Sequence, residues 1–485
     1  MAGLNAKRVV PINVTINRAG GVGYSLGAKD ELVAILMTSL VEDNYYTSAE
    51  SQAARLMTAM RQVDPLFAAK AAIYARDVFG MRSITHVAAV ALAGASFPQK
   101  RAFYRNIVVR PDDALNILAG YGLDNPLPNA MKRGLADALS KFKAGTLAKY
   151  KANDHDVNMY DAINMVHAKS AAVNAFMSGE VRVADTWEVA LSTSIDKAAS
   201  WRGLILENKL GVMALLRNLR NILEACGNDS EVVNAVAAQL TDRDAILRSR
   251  LFPYRFLAAY QTFMNPGFGV RDARAPQKIL TAINRAAEVA LVNVPELNGS
   301  TGLLLDISGS MHATMSDKSQ MRMVDAGAML GAMLFKKNPD SELVKFGTHA
   351  RKFNVNADMP LLDIAQRFAD DEGLGYGTNL QAGFDALSGK HERVIIVSDM
   401  QTWVKQNYYA NSSGHSAWIR YNQRMGVNSF GYEIDLAGHG TTALNNRNNR
   451  EFFLPTITDK IFLIMGALET GGKGLVQTIE ATELV

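Results

Sequence analysis

Through the first 295 residues, apolar positions recur every three to four residues, the spacing of helices that bury one face. Leu32, Ile35, Leu36 and Leu40 line up this way within 29–42, and segments 49–60, 66–78, 84–95, 99–107 and 112–120 repeat the pattern. Asp64-Pro65, Gly80, Phe97-Pro98 and Arg110-Pro111 stand between them, where helices must stop or start. Several segments are alanine-rich and apolar on more than one side, as in HVAAVALAGAS at 86–96. Such helices are covered on two faces, as in stacked antiparallel pairs. No fixed repeat period is visible, so the stack is degenerate. Segments 185–192, 209–225, 231–239, 242–249, 253–264 and 276–294 carry the helices on to Pro295.

There the period changes. The run STGLLLD at 300–306 reads as a buried strand ending in a carboxylate, and further strands are predicted at 342–346, 351–355, 393–398, 427–433 and 460–465. Helices at 321–335, 361–369, 380–387, 417–425 and 474–480 alternate with them. This alternation predicts a doubly wound α/β domain over 296–485, with a largely parallel sheet covered on both faces. In such folds the site lies beyond the carboxyl ends of the strands.

Composition narrows the picture. A chain of 485 residues is too long for one ordinary core. The single cysteine, Cys226, excludes a disulfide framework or a cysteine-built metal cluster within the chain. No run is apolar enough for a signal peptide or a membrane span, so a cytoplasmic protein is expected. Net charge is +4 and unevenly spread: residues 1–295 hold 34 Lys+Arg against 26 Asp+Glu, the remainder 17 against 21. A basic first part and an acidic second part point to a polyanion at the first.

The sharpest motif is Asp306-Ile-Ser308-Gly-Ser310, directly after the first predicted strand of the second part. A carboxylate and two hydroxyls at alternate positions can face one ion, and hard oxygen donors of low charge suit Mg²⁺ or a similar divalent ion. Thr378 follows in a glycine-rich loop, and Asp399 ends the strand at 393–398. Asp306, Ser308, Ser310, Thr378 and Asp399 together resemble the metal-ion-dependent adhesion site of von Willebrand factor A domains. That resemblance implies a metal that binds an oxygen ligand of a partner and carries no reaction. No Ser-His-Asp set is recognisable, and Gly471-Gly472-Lys473 lacks the spacing of a phosphate-binding loop. A non-enzymatic protein is expected.

The helical part is similar to the TROVE module of the Ro autoantigen and its bacterial relatives. The matching pieces are Gly20-Gly21 with Tyr24, Asn44-Tyr45-Tyr46, Ala75-Arg76, Gly80-Met81-Arg82-Ser83 and Leu147 to Lys151, then Val166-His167-Ala168-Lys169, Thr186 to Val189, Leu215 to Arg220 and Pro253-Tyr254-Arg255. The resemblance implies an all-α, HEAT-like ring over 1–295, clasped at its ends by the A-like domain and acting as a monomer. It further implies noncoding RNA partners: Y-like RNA on a basic outer face, and misfolded small RNA threading a single-stranded 3′ end through the ring. An exoribonuclease such as polynucleotide phosphorylase is the implied protein partner.

Residues 100–151 hold ten basic residues against four acidic ones. Lys132 and Arg133 stand near the start of a predicted helix, and Lys149-Tyr150-Lys151 at a helix end. Basic groups flanking an aromatic ring suit phosphates and an unstacked base. His167 reads equally as an RNA contact or as a histidine ending a helix; the resemblance places it, with Lys149, Lys151 and Lys169, on the RNA surface. Asn153, Asp154 and Asp156 depart from the family's basic pattern, which weakens the case for Y RNA. Arg217 and Arg220, one helical turn apart, either line the ring or form buried ion pairs between helices. Trp187, Trp201 and Phe256 are expected in the core. Two other readings compete: a metal-dependent protein-adhesion scaffold without RNA, and a ribonuclease, for which no acid–base pair stands at recognisable spacing.

Overall fold

The computed structural model describes residues 14–16, 22–38, 49–122, 125–150, 156–181, 187–227, 229–264, 274–315, 320–370, 372–401, 414–438, 441–445, 450–454, 457, 461–471 and 475–484. Helices account for most of the described residues from Ala28 to Ala290, and local chemistry sets many of their starts. Asp64, Asn158, Ser170, Asp196, Asp229 and Asp242 each accept a hydrogen bond from a backbone N–H of the first turn that follows. Pro65 and Pro111 occupy first helical positions, where a missing N–H costs nothing. Helices Pro253–Met264 and Leu361–Ala369 begin and end where the periodicity puts them.

Nine strands are described: β1 (Val14–Ile16), β2 (Val22–Ser25), β3 (Thr301–Asp306), β4 (Glu342–Phe346), β5 (Ala350–Lys352), β6 (Arg393–Ser398), β7 (Phe430–Asp435), β8 (Thr441–Thr442) and β9 (Glu451–Leu454). The large sheet runs β5-β4-β3-β6-β7-β9, parallel except for the edge strand β5. From β3 the chain first builds outward to one side and then, from β6, to the other. The topological switch point therefore lies between β3 and β6, where a doubly wound sheet places its ligand.

One prediction is overturned here. Of the run at 460–465, residues 461–465 belong to the helix Ile461–Gly471 and residue 460 lies outside the described residues; the last parallel strand described is β9, further back in the chain. A short apolar run fits a buried strand or a buried helix equally, so periodicity cannot separate them. Phe452 of β9 stacks on Tyr432 of β7 at 5.3 Å, a contact between distant residues. The helices Asn129–Ser140, Ala144–Ala148, Met159–Val166, Ala171–Met177 and Lys197–Leu206 complete the helical part.

Three cores organise the molecule. The first gathers helices from Ala28 to Met177 and also takes in Leu475, Ile479 and Leu484 from the far end of the chain. The second runs from Trp201 through helix Arg274–Ala290 into one face of the sheet, through Leu303, Leu305, Ile395, Val397 and Ile434. The third lies on the opposite face, where Leu304, Val344 and Ile396 are covered by Phe384, Trp418 and Tyr421. β1 and β2 precede the helices, and the second core is shared between helices and the large sheet, so the two parts are joined in packing. Trp201 and Phe256 are buried in the second core, and Trp187 stacks on Trp201 at 6.3 Å.

Both ends of the helical part meet the α/β part. At the near end, β2 pairs with β8, Arg55 donates to the Gly438 carbonyl, and Lys70 Nζ donates to the Glu480 carbonyl at 2.6 Å. Lys29 also pairs with the Glu480 carboxylate. At the far end, Glu288 accepts from the Leu361 N–H at 2.6 Å and pairs with Lys336 at 3.4 Å. The chain closes a circuit on itself.

Candidate metal centre and basic surface

Asp306 ends β3 and is fully buried. Its Oδ1 accepts from the Ser308 N–H at 2.8 Å, which turns the chain back so that Ser308 and Ser310 share one side of the loop, with hydroxyls 3.4 Å apart. Its Oδ2 accepts from the Ser398 hydroxyl at 2.6 Å across the switch point. Asp399 follows β6; its Oδ1 accepts from the Gln401 N–H at 3.1 Å. The loop that carries Thr378 is held from both sides. The Gly309 N–H donates to the Tyr376 carbonyl at 3.2 Å, and the Asn379 N–H to the Gly347 carbonyl at 2.9 Å. Gly347 has to be glycine, because a Cβ there would stand 2.1 Å from the Gly375 carbonyl oxygen. Thr378 is buried, while Tyr376 is 72% exposed at the rim.

Burial pushes the Asp306 carboxyl above the ordinary range, and the nearby charge of Asp399 pushes it further. Burial raises Asp399 as well, against a hydrogen bond from Ser310. Buried acceptors here lack donors: among the described residues, Asp399 Oδ2 and Gln401 Oε1 have no hydrogen-bond partner, and neither does Asp435 Oδ2 at the end of β7. Buried oxygens are rarely left unpaired, and a patch of orphaned acceptors beside coupled carboxylates suits a cation with its water. Among the described residues no three His, Cys, Asp or Glu converge to hold an ion by themselves, so hydroxyls must complete any donor set. Asp435 and Gln401 escaped sequence reasoning. Asp435 carried a usable signal, since YEID ends a strand in a carboxylate just as LLLD does.

The basic residues occupy three places. Lys132 and Arg133 lie in the first turns of helix Asn129–Ser140, Arg133 exposed and Lys132 partly so. Gly134 beside them lets this helix approach helix Lys100–Ile107 closely; a Cβ there would meet the Arg101 carbonyl at 2.5 Å. At the other end of helix Asn129–Ser140, the Lys169 N–H donates to Ser140 Oγ at 3.3 Å. The exposed His167 caps helix Met159–Val166 in a left-handed conformation, φ 59°. Lys149 is exposed at a helix end and pairs with Glu188, while the Tyr150 hydroxyl accepts from Arg110 Nη2 at 2.9 Å. Lys151 lies outside the described residues. The third place, helix Val212–Cys226, belongs to the second core. Its buried face carries Leu215, Leu216 and Leu219, which leaves Arg217 and Arg220 exposed. Arg220 pairs with Glu224 of its own helix at 2.8 Å, so neither arginine forms a buried pair between helices.

A helical circuit closed by an α/β domain of von Willebrand A-like topology is the class of protein this architecture defines. The TROVE domain model matches residues 164–297. The RNA-binding protein RO60 of Deinococcus radiodurans is 25% identical over 480 residues, spanning 84% of this chain and 86% of that protein. RO60 of Caenorhabditis elegans is 29% identical over 164 residues, 32% of this chain and 25% of its own. Telomerase protein component 1 of Rattus norvegicus is 24% identical over 312 residues, 45% of this chain and 12% of its own. The crystal structure of the D. radiodurans RO (RSR) protein superposes with a TM-score of 0.61 over 92% of this chain and 100% of that one, at 20% identity, so the fold is shared. The chain is thus similar to TROVE-domain proteins of the Ro type, with the domain itself matched over residues 164–297.

Proposed function

We propose that this protein binds RNA, with a divalent metal centre on its α/β domain as a separate docking point for a protein partner. The carrying observation is a likeness through 84% of the chain to a protein named for RNA binding. It is supported by the exposed basic residues Arg133, Lys149, His167, Lys169, Arg217 and Arg220, which stand on helices or beside their ends. The RNAs proposed are small and noncoding: Y-like RNA along the surface around Lys132, Arg133, Lys149, Lys151, His167 and Lys169, and misfolded RNA whose single-stranded 3′ end passes by Arg217 and Arg220. Mg²⁺ would be held by Asp306, Ser308, Ser310, Thr378 and Asp399 and would present a Lewis-acidic position to a carboxylate oxygen. An exoribonuclease is the proposed partner there, and the role is binding and delivery rather than catalysis. Among the described residues, no helix is long and apolar enough to cross a membrane. A monomer working in the cytoplasm completes the reading.

The test is a set of gel-shift titrations with one hairpin RNA carrying an unpaired tail, a paired tail or no tail. The tailed form should bind most tightly, with a log–log salt slope of roughly −0.7 for each single-strand phosphate neutralised. Arg217→Ala/Arg220→Ala should weaken only the tailed RNA, and Lys132→Glu/Arg133→Glu should weaken all three. Equal affinities would remove threading, and no binding of any of them would leave the metal-dependent protein scaffold.

A further inference from the structure

The metal centre extends one strand further than the adhesion-site motif. Asp306, Ser398 and Asp435 stand side by side across β3, β6 and β7: Leu305 registers with Val397, Ser398 with Asp435, and Ser398 bonds Asp306. Residues level with one another on neighbouring strands point to the same face, so the three side chains form one row at the carboxyl end of the sheet. Asp435 is fully buried. Its Oδ1 accepts from the N–H groups of Ala437 at 2.9 Å and Gly438 at 3.0 Å, and its Oδ2 has no partner among the described residues.

An ionised carboxylate taken out of water and left unpaired costs several kcal/mol, so this position requires compensation. Neighbouring protein groups do not supply it in full. Asp399 is close enough to raise the carboxyl further, after burial itself, and Arg55 offsets this in part while its guanidinium donates to the Gly438 carbonyl and pairs with Glu31 at 3.6 Å. Burial and Asp399 thus bring Asp435 up to about 7. Among the described residues, Asp435 does not converge with Asp306 and Asp399 as a three-carboxylate cluster, which favours an outer place for it. A divalent ion of the Mg²⁺ type keeps several waters, and each is a strong donor at about the reach of a neighbouring side chain.

We infer that Asp435 belongs to the metal centre as a positioning residue, its Oδ2 accepting from a water carried by the ion. The inference rests on the metal reading above and assigns a residue that the motif does not contain. It also ties the centre to the closure of the circuit. Oδ1 of the same carboxylate holds the turn at 437–438, whose carbonyl receives Arg55 and which leads into β8, the partner of β2.

Asp435→Asn separates the two halves of this role. It keeps an oxygen for the two N–H groups but turns the orphaned acceptor into a donor. Calorimetric titration of the full chain with Mn²⁺ should show affinity about tenfold lower than wild type, in the range lost when outer-shell partners are removed. The metal-free variant should melt at or above the wild-type temperature, because an uncompensated buried charge is gone, while its metal-induced rise in Tm should shrink. Unchanged Mn²⁺ affinity in a folded variant overturns the inference and leaves the five-residue centre standing. Wild-type protein that binds neither Mn²⁺ nor Mg²⁺ overturns both. If Asp435→Asn does not fold, Asp435→Ser, which retains an oxygen acceptor without the charge, is titrated under the same criterion.

Discussion

Asp113→Ala is expected to destabilise the first helical core by about 3–5 kcal/mol, the cost of leaving a buried charge without its partner. The side chain is fully buried at the start of helix Pro111–Tyr121 and serves five donors. Oδ2 accepts from Arg76 Nη2 at 2.8 Å and from the N–H groups of Val109 at 3.0 Å and Arg110 at 2.8 Å. Oδ1 accepts from Arg82 Nε at 2.9 Å and meets His86 Nε2 at 2.9 Å. Alanine would strand the buried Arg76 guanidinium and two backbone donors at once. Thermal unfolding followed by circular dichroism, with hydrogen exchange of peptides from 65–121, measures the effect. A loss below about 1 kcal/mol, the size of an ordinary surface change, would show that the arginines find other acceptors.

The same carboxyl sets an acid limit. Burial alone would raise it, but hydrogen bonds from His86, Arg76 and Arg82 outweigh burial and hold it well below the usual carboxylate range. A depressed folded-state value means the stabilisation is complete above the unfolded value of about 4 and is lost as pH falls from there towards the folded value. Wild-type Tm should therefore drop more steeply below about pH 4 than that of Asp113→Asn, which has no such carboxyl to protonate. Parallel acid profiles for the two proteins would exclude this network as the source.

Asp306→Ala is expected to abolish Mg²⁺ and Mn²⁺ binding while the α/β domain stays folded. The substitution removes the charged oxygen donor that both organises the serine loop and meets Ser398 across the switch point. Metal-free stability should hold or rise, because the repulsion between Asp306 and Asp399 disappears with the side chain. Calorimetry returning wild-type affinity would refute the centre. RNA affinity should be unaffected, since Arg217 and Arg220 stand on helix Val212–Cys226, outside the sheet.

The α/β part was the more legible in sequence, because its chemistry sits where strands end. Asp306 ends and Asp399 follows a short apolar run that proves to be a buried strand, and glycines such as Gly375 mark the loop between them. Strands at 342–346 and 393–398 come out with the bounds read from the run lengths. The run at 460–465 misled, since five apolar residues satisfy a strand and a buried helix alike. In the helical part, elements with a clear stripe could be read, whereas Ala144–Ala148 and Ala171–Met177 are too short to show a period. Partners of opposite charge were out of reach: nothing local announces that Lys149 meets Glu188, or that Asp113 gathers Arg76, Arg82 and His86. Asp435 could be read as a carboxylate ending a strand, but its place beside Ser398 and Asp306 becomes visible only once the register is known.

The closure that joins Lys29 and Lys70 to Glu480 links residues 451 and 410 positions apart. During synthesis, helices Ala28–Thr38 and Pro65–Asp77 leave the ribosome long before helix Leu475–Glu480 exists. At 5–20 residues per second, that wait is roughly 20–90 s. Through it, the first core lacks Leu475, Ile479 and Leu484, and β2 lacks its partner β8. The nascent protein therefore passes through an open form with an unpaired edge and an apolar seam, and closes only once the segment around Glu480 has been made.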